Sequence, residues 1–438
     1  MAKLHDIPTE IIFQILRHLR HSKAETCDKP TRDLCNAARV SQKLKTLVQT
    51  TLYQHVCFSD EQSAWRVRPF FRTIAHHPAL ASQVETLNIV GWRAHPSPES
   101  PCRSDVRLFH KLLDSLGLTD FSFWQMAAKQ MPEELYVAFT LILLPNLREL
   151  DLWTPIQRMW LVKVIDYASV LRSRQGSNLG FRKLERVRLG MQRSYTHTHV
   201  HYMEPFFHLP FLTKLEIYGD AWIGGWPQTF HRKSSLKQVT LLDNTFEFED
   251  LSGMLSSIKS LQSLHFQPRS KEAVMYAWQI GDAISLAAAS LTDLRLDTKF
   301  HWTQIFQHQN SMLHFATLQR LQMNQAFFAG TIENIPLVEI LPPSLQELLM
   351  PFFNLEASID FIRNFMLRLS EYVDAKPVHM LGIRKIGTWH GTTAVIPHYS
   401  GLPEFASLIA SCEEANVVFE GTLPFSEDGA LLDLRFGD

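Results

Sequence analysis

Apolar positions along the chain recur in one short figure: apolar, two variable residues, apolar, one variable residue, apolar. It occurs as VETLNI from Val84, LRELDL from Leu147, LERVRL from Leu184, LTKLEI from Leu212 and LKQVTL from Leu236. It continues as LQSLHF from Leu261, LTDLRL from Leu291, LQRLQM from Leu318, LQELLM from Leu345 and VHMLGI from Val378. From Leu147 onward the starts lie 24 to 37 residues apart, about 29 on average. The last four positions alternate apolar and polar, which predicts a short strand with one face buried. Between figures the spacing becomes helical: Leu251, Met254, Leu255 and Ile258 stand at i, i+3, i+4 and i+7. Each unit reads strand, turn, helix, and such a unit hides its apolar face only by stacking on its neighbours.

A strand-helix unit repeating near this period is the signature of leucine-rich repeats. The predicted fold class is α/β, with a curved leucine-rich-repeat solenoid over residues 84–400. The period breaks between Val84 and Leu147, where HPSPESPCRSD from His95 leads into apolar helical stretches at Val106–Leu118 and Leu135–Leu144. An insertion near 95–144 is expected there, either a helical excursion or one degenerate repeat. Residues 401–438, with FASLIASCEEA and NVVFEG, read as a terminal cap and tail. Eight positions after each first leucine only Asn244 supplies the asparagine common in such arrays, so an asparagine ladder is not expected.

Residues 1–58 have a different grammar, and 59–83 read as a helical connector. Asp6, Pro8 and Glu10 can open a helix whose stripe is Ile11, Ile12, Ile15, Leu16 and Leu19. After a polar loop, Leu34, Ala37, Ala38, Leu44, Leu47 and Val48 keep helical spacing, and Ser41 can cap a new helix. Three short helices make a small core that a partner or the rest of the chain should complete.

The segments IPTEIIFQILRHL and ARVSQKLKTLVQTTLYQHV resemble an F-box, with its Leu-Pro-x-Glu-hydrophobic, Ile-Leu and Val-Ser-x-x-hydrophobic pattern. The following FFRTIAHHPALASQVETLNI resembles the segment joining F-box to leucine-rich repeats in fungal F-box proteins. Ile7 stands where that family usually has Leu, and the loop from His21 to Asp33 is longer than common. The resemblance implies the substrate-recognition subunit of an SCF-type cullin-RING ubiquitin ligase. It would dock a Skp-type adaptor through the F-box and a target protein through the repeats. The implied adaptor-contact or module-core residues are Ile7, Pro8, Ile11, Leu16, Leu19, Val40, Ser41 and Leu44. The alternative is a non-catalytic repeat scaffold unrelated to ubiquitin.

Composition narrows the classes further. With 43 Lys and Arg against 44 Asp and Glu, no global field draws the chain to nucleic acid or to a membrane. The balance is uneven, however, since residues 1–58 carry nine basic and five acidic side chains. That excess would steer the module toward an acidic adaptor. Five scattered cysteines without C-x-x-C predict reduced thiols rather than disulfides or a zinc module. MAKLHDIPTE lacks an apolar leader core, and no apolar run is long enough to span a bilayer, so an intracellular protein, cytoplasmic or nuclear, is expected. The alternating His197, His199 and His201 have no Cys or carboxylate in a recognised metal spacing and read as an exposed loop. No nucleophile elbow, P-loop, dinucleotide fingerprint or zincin motif occurs, so neither enzyme activity nor a cofactor or metal is expected.

The outward position between the core positions of each strand forms a row: Asn88, Asp151, Arg188, Glu216, Thr240, His265, Arg295, Gln322, Leu349 and Gly382. Its signs are mixed, which suits a protein ligand better than nucleic acid, although a merely solvated face would look the same. Seven of ten tryptophans (Trp92, Trp153, Trp160, Trp222, Trp226, Trp302 and Trp389) fall within nine residues after a figure. Tyr218, Phe246, Phe248, Phe327, Phe328, Phe352 and Phe353 fall in the same places. These rings either pack loops against the repeat edge or form a recruiting rim. The candidate substrate-binding residues are Asp151, Trp153, Arg188, Glu216, Tyr218, Trp222, His265, Arg295 and Trp302.

Overall fold

The computed structural model describes residues 8–21, 28–59, 63–90, 102–116, 133–154, 161, 163–165, 181–191, 204–219, 222–223, 234–246, 248–268, 277–297, 312–323, 336–352, 359–375, 384–390, 403–423 and 432–436. Three helices open the chain: α1 (Thr9–His21), α2 (Asp28–Ala38) and α3 (Gln42–Gln54). The amide of Ile12 donates to the Pro8 carbonyl at 3.2 Å, so Pro8 lies at the mouth of the first turn, where its missing N–H is not needed. Ile12 and Leu16 of α1 meet Leu34, Leu44 and Val48 in one cluster, flanked by Ala37, Ala38, Leu47 and Leu52. Ser41 is extended at φ −158° and ψ 158°, and its Oγ accepts the Leu44 amide at 3.1 Å. That cap satisfies an otherwise orphaned donor and contributes about 1 kcal/mol.

The chain divides into two compact units, the first being Met1–Thr198 with Tyr202–Gly219. Here α3 runs into β1 (His55–Phe58), followed by α4 (Ser63–His76), α5 (Pro78–Ala81) and β2 (Thr86–Ile89). Then come α6 (Arg103–Leu116), α7 (Glu133–Ile142), β3 (Glu149–Thr154), β4 (Arg186–Met191), α8 (Glu204–Phe207) and β5 (Lys214–Tyr218). Strands β1 to β5 pair in sequence order, all parallel, with Leu87, Leu150, Val187 and Leu215 in one register row. Because β2 and β3 pair directly, α6 and α7 are carried in the crossover between adjacent strands. Every residue of α7 from Leu135 to Ile142 is buried. Phe71 of α4, Phe109 of α6 and Tyr136 and Phe139 of α7 form an aromatic cluster, with Phe109 4.8 to 5.3 Å from the other three ring centroids. Beside it Asp105, 1% exposed, accepts Arg68 Nε at 2.8 Å, Arg72 Nη2 at 2.8 Å and Tyr136 Oη at 2.7 Å. Burial alone would raise the Asp105 pKa, but the hydrogen bonds from Arg72, Tyr136 and Arg68 win and lower it.

The second unit, His199–His201 with Asp220–Asp438, begins with β6 (Trp222–Ile223), β7 (Gln238–Phe246), α9 (Phe248–Ser257), β8 (Ser263–Pro268), α10 (Ala277–Ser285) and β9 (Asp293–Leu296). It continues through β10 (Arg320–Met323), β11 (Glu347–Phe352), α11 (Ile359–Asp374), β12 (Lys385–His390), α12 (Pro403–Glu414), β13 (Val418–Leu423) and β14 (Leu432–Phe436). β7 to β13 are parallel neighbours in sequence order, β6 lies along the end of β7, and β14 closes the sheet antiparallel to β13. The figure from Val378 lies outside the described residues. The strand beside β11 is Lys385–His390, so Gly387 rather than Gly382 stands in register with Leu349.

In the nine figures from Val84 to Leu345, all three apolar positions are at most 5% exposed. A fully buried leucine contributes roughly 1.5–3 kcal/mol, so this row is the main cohesive element of each unit. Backbone bonds repeat with the same step. The carbonyls of Glu85, Arg148, Glu185, Lys237, Gln262, Thr292 and Gln319 each accept two consecutive amides of the next strand's start at 2.7 to 3.1 Å. Hydroxyls add a second ladder in place of the absent asparagines. Ser290, Thr317 and Ser344, each directly before a figure's first leucine, donate to the carbonyls of Leu261, Leu291 and Leu318 at 2.8 to 2.9 Å. Asn244 is fully buried, and its side chain donates to Leu242 O at 2.9 Å next to a bulge in which Asp243 has φ 58°. No helix among the described residues is long and apolar enough to cross a membrane.

Candidate functional site

In the N-terminal helices one apolar stripe becomes two faces. Ile12 and Leu16 point into the cluster at 3% and 2% exposure, whereas Ile11 and Ile15 are 44% and 49% exposed. Pro8, Ile11 and Ile15 follow one another at steps of three and four, so they line a single side of the start of α1, and all three are exposed. Val40, in the turn between α2 and α3, is 70% exposed. The expected contact residues therefore separate: Pro8, Ile11 and Val40 face solvent, Leu16 and Leu44 belong to the core, and Ser41 is a helix cap. Ile7 and the side chain of Leu19 lie outside the described residues. Ile15 is the exposed member of the stripe that sequence spacing alone could not single out, because an amphipathic pattern does not say where the core-facing arc ends.

The strand face opposite the core carries a second arrangement, in β3, β4 and β5. Register places Asp151, Arg188 and Glu216 in one row, Glu149, Arg186 and Lys214 in the row before it, and Trp153, Gly190 and Tyr218 in the row after it. Arg188 donates from Nε to Glu216 at 2.8 Å and from Nη1 to Asp151 at 3.3 Å. Glu216 also accepts Arg186 Nη2 at 2.9 Å, Lys214 Nζ at 2.8 Å and Tyr218 Oη at 2.9 Å. Burial pushes the Glu216 carboxyl upward, but hydrogen bonds from Lys214, Arg188 and Tyr218 and the Arg186 charge hold it at about 2. Asp151 goes the other way: burial raises its pKa, and the nearby Arg188 charge offsets this only in part.

The row after the charges is aromatic. The rings of Trp153 and Tyr218 stack with centroids 6.3 Å apart and planes 15° from parallel, and the Arg188 guanidinium lies 5.8 Å from the Tyr218 centroid. Gly190 lies between them in the register, and a Cβ there would come within 2.2 Å of Trp153 Cδ2. Glycine is thus required for the Trp153 ring to lie across β4.

The structure brings together Asp151, Trp153, Arg188, Glu216 and Tyr218 in the first unit. Glu216, expected as an outward residue, is 3% exposed, because four neighbours close over it. His265 and Arg295 belong to the second unit. There His265 Nε2 is 2.7 Å from Asp297 Oδ2, Gln322 donates to Asp297 Oδ1 at 2.7 Å, and Arg295 pairs with Asp293 at 3.3 Å. Trp302 lies outside the described residues, as do Trp92, Trp160 and Trp226 and the side chains of Trp222 and Trp389, so the aromatic rim is represented by Trp153, Tyr218 and the half-buried Phe248. His197, His199 and His201 also lie outside them. Among the described residues no cluster of His, Cys, Asp or Glu could hold a metal ion, and Cys35, Cys57, Cys102 and Cys412 form no disulfide.

Residues 4–59 match the family model described as F-box-like. No curated protein matches the chain. The helices α1 to α3, with their divided apolar stripe, are the part of the structure on which that match falls.

Proposed function

We propose that the chain is the substrate-recognition subunit of an SCF-type cullin-RING ubiquitin ligase. Its F-box-like helices dock a Skp-type adaptor, and leucine-rich repeats present a target protein on their strand face. The observation that carries this reading is the exposed apolar side of an F-box-like module. Ile11, Ile15 and Val40 are 44%, 49% and 70% exposed there, although a core is available only residues away. Large apolar side chains held in water beside a small core are what a helical partner would cover. The net positive charge of residues 1–58 would speed the encounter with an acidic adaptor without adding much affinity.

In this role the chain contributes position rather than chemistry. Holding a target near the transfer machinery raises its effective concentration there. Co-expression of the tagged full chain with a Skp-type adaptor tests the reading. A stoichiometric complex is expected, lost on joint Ile11→Ala and Ile15→Ala substitution. An intact chain that purifies without the adaptor would refute it and leave a repeat scaffold unrelated to ubiquitin.

A further inference from the structure

The charges on the β3–β5 face are sorted by depth. The side chains of Glu216 and Asp151 are 4% and 19% exposed, whereas those of Arg186, Arg188 and Lys214 are 35%, 35% and 34% exposed. Buried anions thus hold a layer of cations outermost, and a ligand approaching the sheet meets positive charge. Glu149, in register with Arg186, is the exposed carboxylate in these three rows. Arg188 is fixed through Nε and Nη1, so its guanidinium plane is already oriented, and Nη2 makes no hydrogen bond among the described residues. An oriented guanidinium loses little freedom when it takes a further carboxylate. Next to it stands the Trp153–Tyr218 pair, made possible by Gly190.

We infer that Arg186, Arg188, Lys214 and the Trp153–Tyr218 pair form a docking site for an acidic segment of a target protein, one that carries a large apolar side chain beside its carboxylates. The carboxylates meet the three cations, and the apolar side chain lies on the two rings. Aromatic and arginine side chains in this arrangement dominate protein interfaces, and the fixed charges select against basic segments. A merely solvated face would have no reason to keep a glycine under a tryptophan or to bury Glu216 beneath three cations. This inference rests on the receptor reading only in naming the ligand as a target.

The test uses the full chain and an array of synthetic 15-residue peptides in which a central Phe, Leu or Ala is flanked by Glu, Gln or Lys. Peptides with Glu around Phe or Leu are expected to bind, at least about tenfold more tightly than their Gln or Ala counterparts, and to weaken as salt is raised. Lys214→Gln should lower binding of the Glu peptides several-fold and leave the Gln peptides unchanged. Gly190→Ala should lower the contribution of Phe over Ala, with melting temperature reporting that each variant folds. Equal binding of Glu and Gln peptides, no binding of Glu peptides, or a Lys214→Gln variant that binds them as before would overturn the inference. Adaptor capture is measured on the same samples. Failure of the peptides with capture intact removes this inference alone, and loss of capture with the peptides bound removes only the receptor reading.

Discussion

On α1, Ile11 and Ile15 each stand one residue before a core side chain, Ile12 and Leu16, and the two pairs make opposite predictions. Leu16 is 2% exposed, and Leu16→Ala removes buried carbons from a cluster of five buried side chains, leaving a cavity. Such truncations cost 2–5 kcal/mol, and a core this small has little room to relax, so about 3 kcal/mol is expected. Ile11→Ala and Ile15→Ala remove side chains that are already about half in water, 44% and 49% exposed, and alanine is the better helix former. Their joint effect on stability should stay within about 0.5 kcal/mol. Their effect on docking should be large. A partner covering the exposed half of each isoleucine gains roughly 1–1.5 kcal/mol per residue, so the pair should lose about 2–3 kcal/mol, or some 30- to 150-fold in affinity. Titration calorimetry with a purified Skp-type adaptor measures the affinity, and hydrogen exchange of α1 to α3 measures the local stability. If the double variant binds like the parent, the solvent-facing side of α1 is not the docking face. If it loosens the module as Leu16→Ala does, the separation of core from contact side is wrong.

Three further outcomes follow from the ion pairs and ladders. Glu216 titrates at about 2 in the folded chain against an ordinary 4.5, so its ionised form contributes up to about 3 kcal/mol that is fully present above pH 4.5 and lost as pH falls toward 2. Glu216→Gln should melt lower than the parent at pH 7, with the gap closing across that window while the raised pKa of Asp151 works in the opposite sense; parallel pH profiles would disprove the assignment. Thr317→Val keeps shape but removes the hydroxyl bonded to Leu291 O at 2.9 Å, and denaturant unfolding should show a loss of about 1 kcal/mol, against no loss if solvent already satisfies that carbonyl. Asp105→Ala leaves Arg68, 15% exposed, without its carboxylate and should destabilise the α4–α6–α7 cluster by about 3 kcal/mol, read from urea unfolding of the full chain.

Position, rather than pattern strength, decided which parts of the architecture could be read from sequence. The figure from Leu147 to Leu345 marks strands correctly because a leucine row buried to within 5% exposure tolerates little else, and burial on one face of a strand imposes period two. VHMLGI satisfies the same pattern, yet KIGTWH takes the place beside β11. Three matched apolar positions are a weak local signal, and parallel pairing is settled by the crossover that delivers the strand. Here that crossover contains α11. The hydroxyl ladder is legible in the sequence, since Ser290, Thr317 and Ser344 each stand directly before the first leucine of successive figures.

The site on β3 to β5 shows why face residues are harder to read than core residues. A pattern of mixed signs along Asp151, Arg188 and Glu216 is the same whether the charges are solvated or locked together. Depth distinguishes the two, and depth arises across strands. Glu216 is buried because Arg186 and Lys214 come from the neighbouring register row and Tyr218 from two residues along its own strand. Spacing within β5 encodes only Lys214 and Tyr218, whereas Arg186 and Arg188 reach Glu216 from β4. Gly190 makes the point most sharply. In LERVRLG it reads as the end of a strand, where glycine is ordinary. Only the ring of Trp153, on β3 and 37 residues earlier, gives it a reason, since any Cβ would fall within 2.2 Å of Cδ2. A glycine retained for clearance rather than for a turn identifies a ring whose position matters, and that ring lies beside the oriented guanidinium of Arg188.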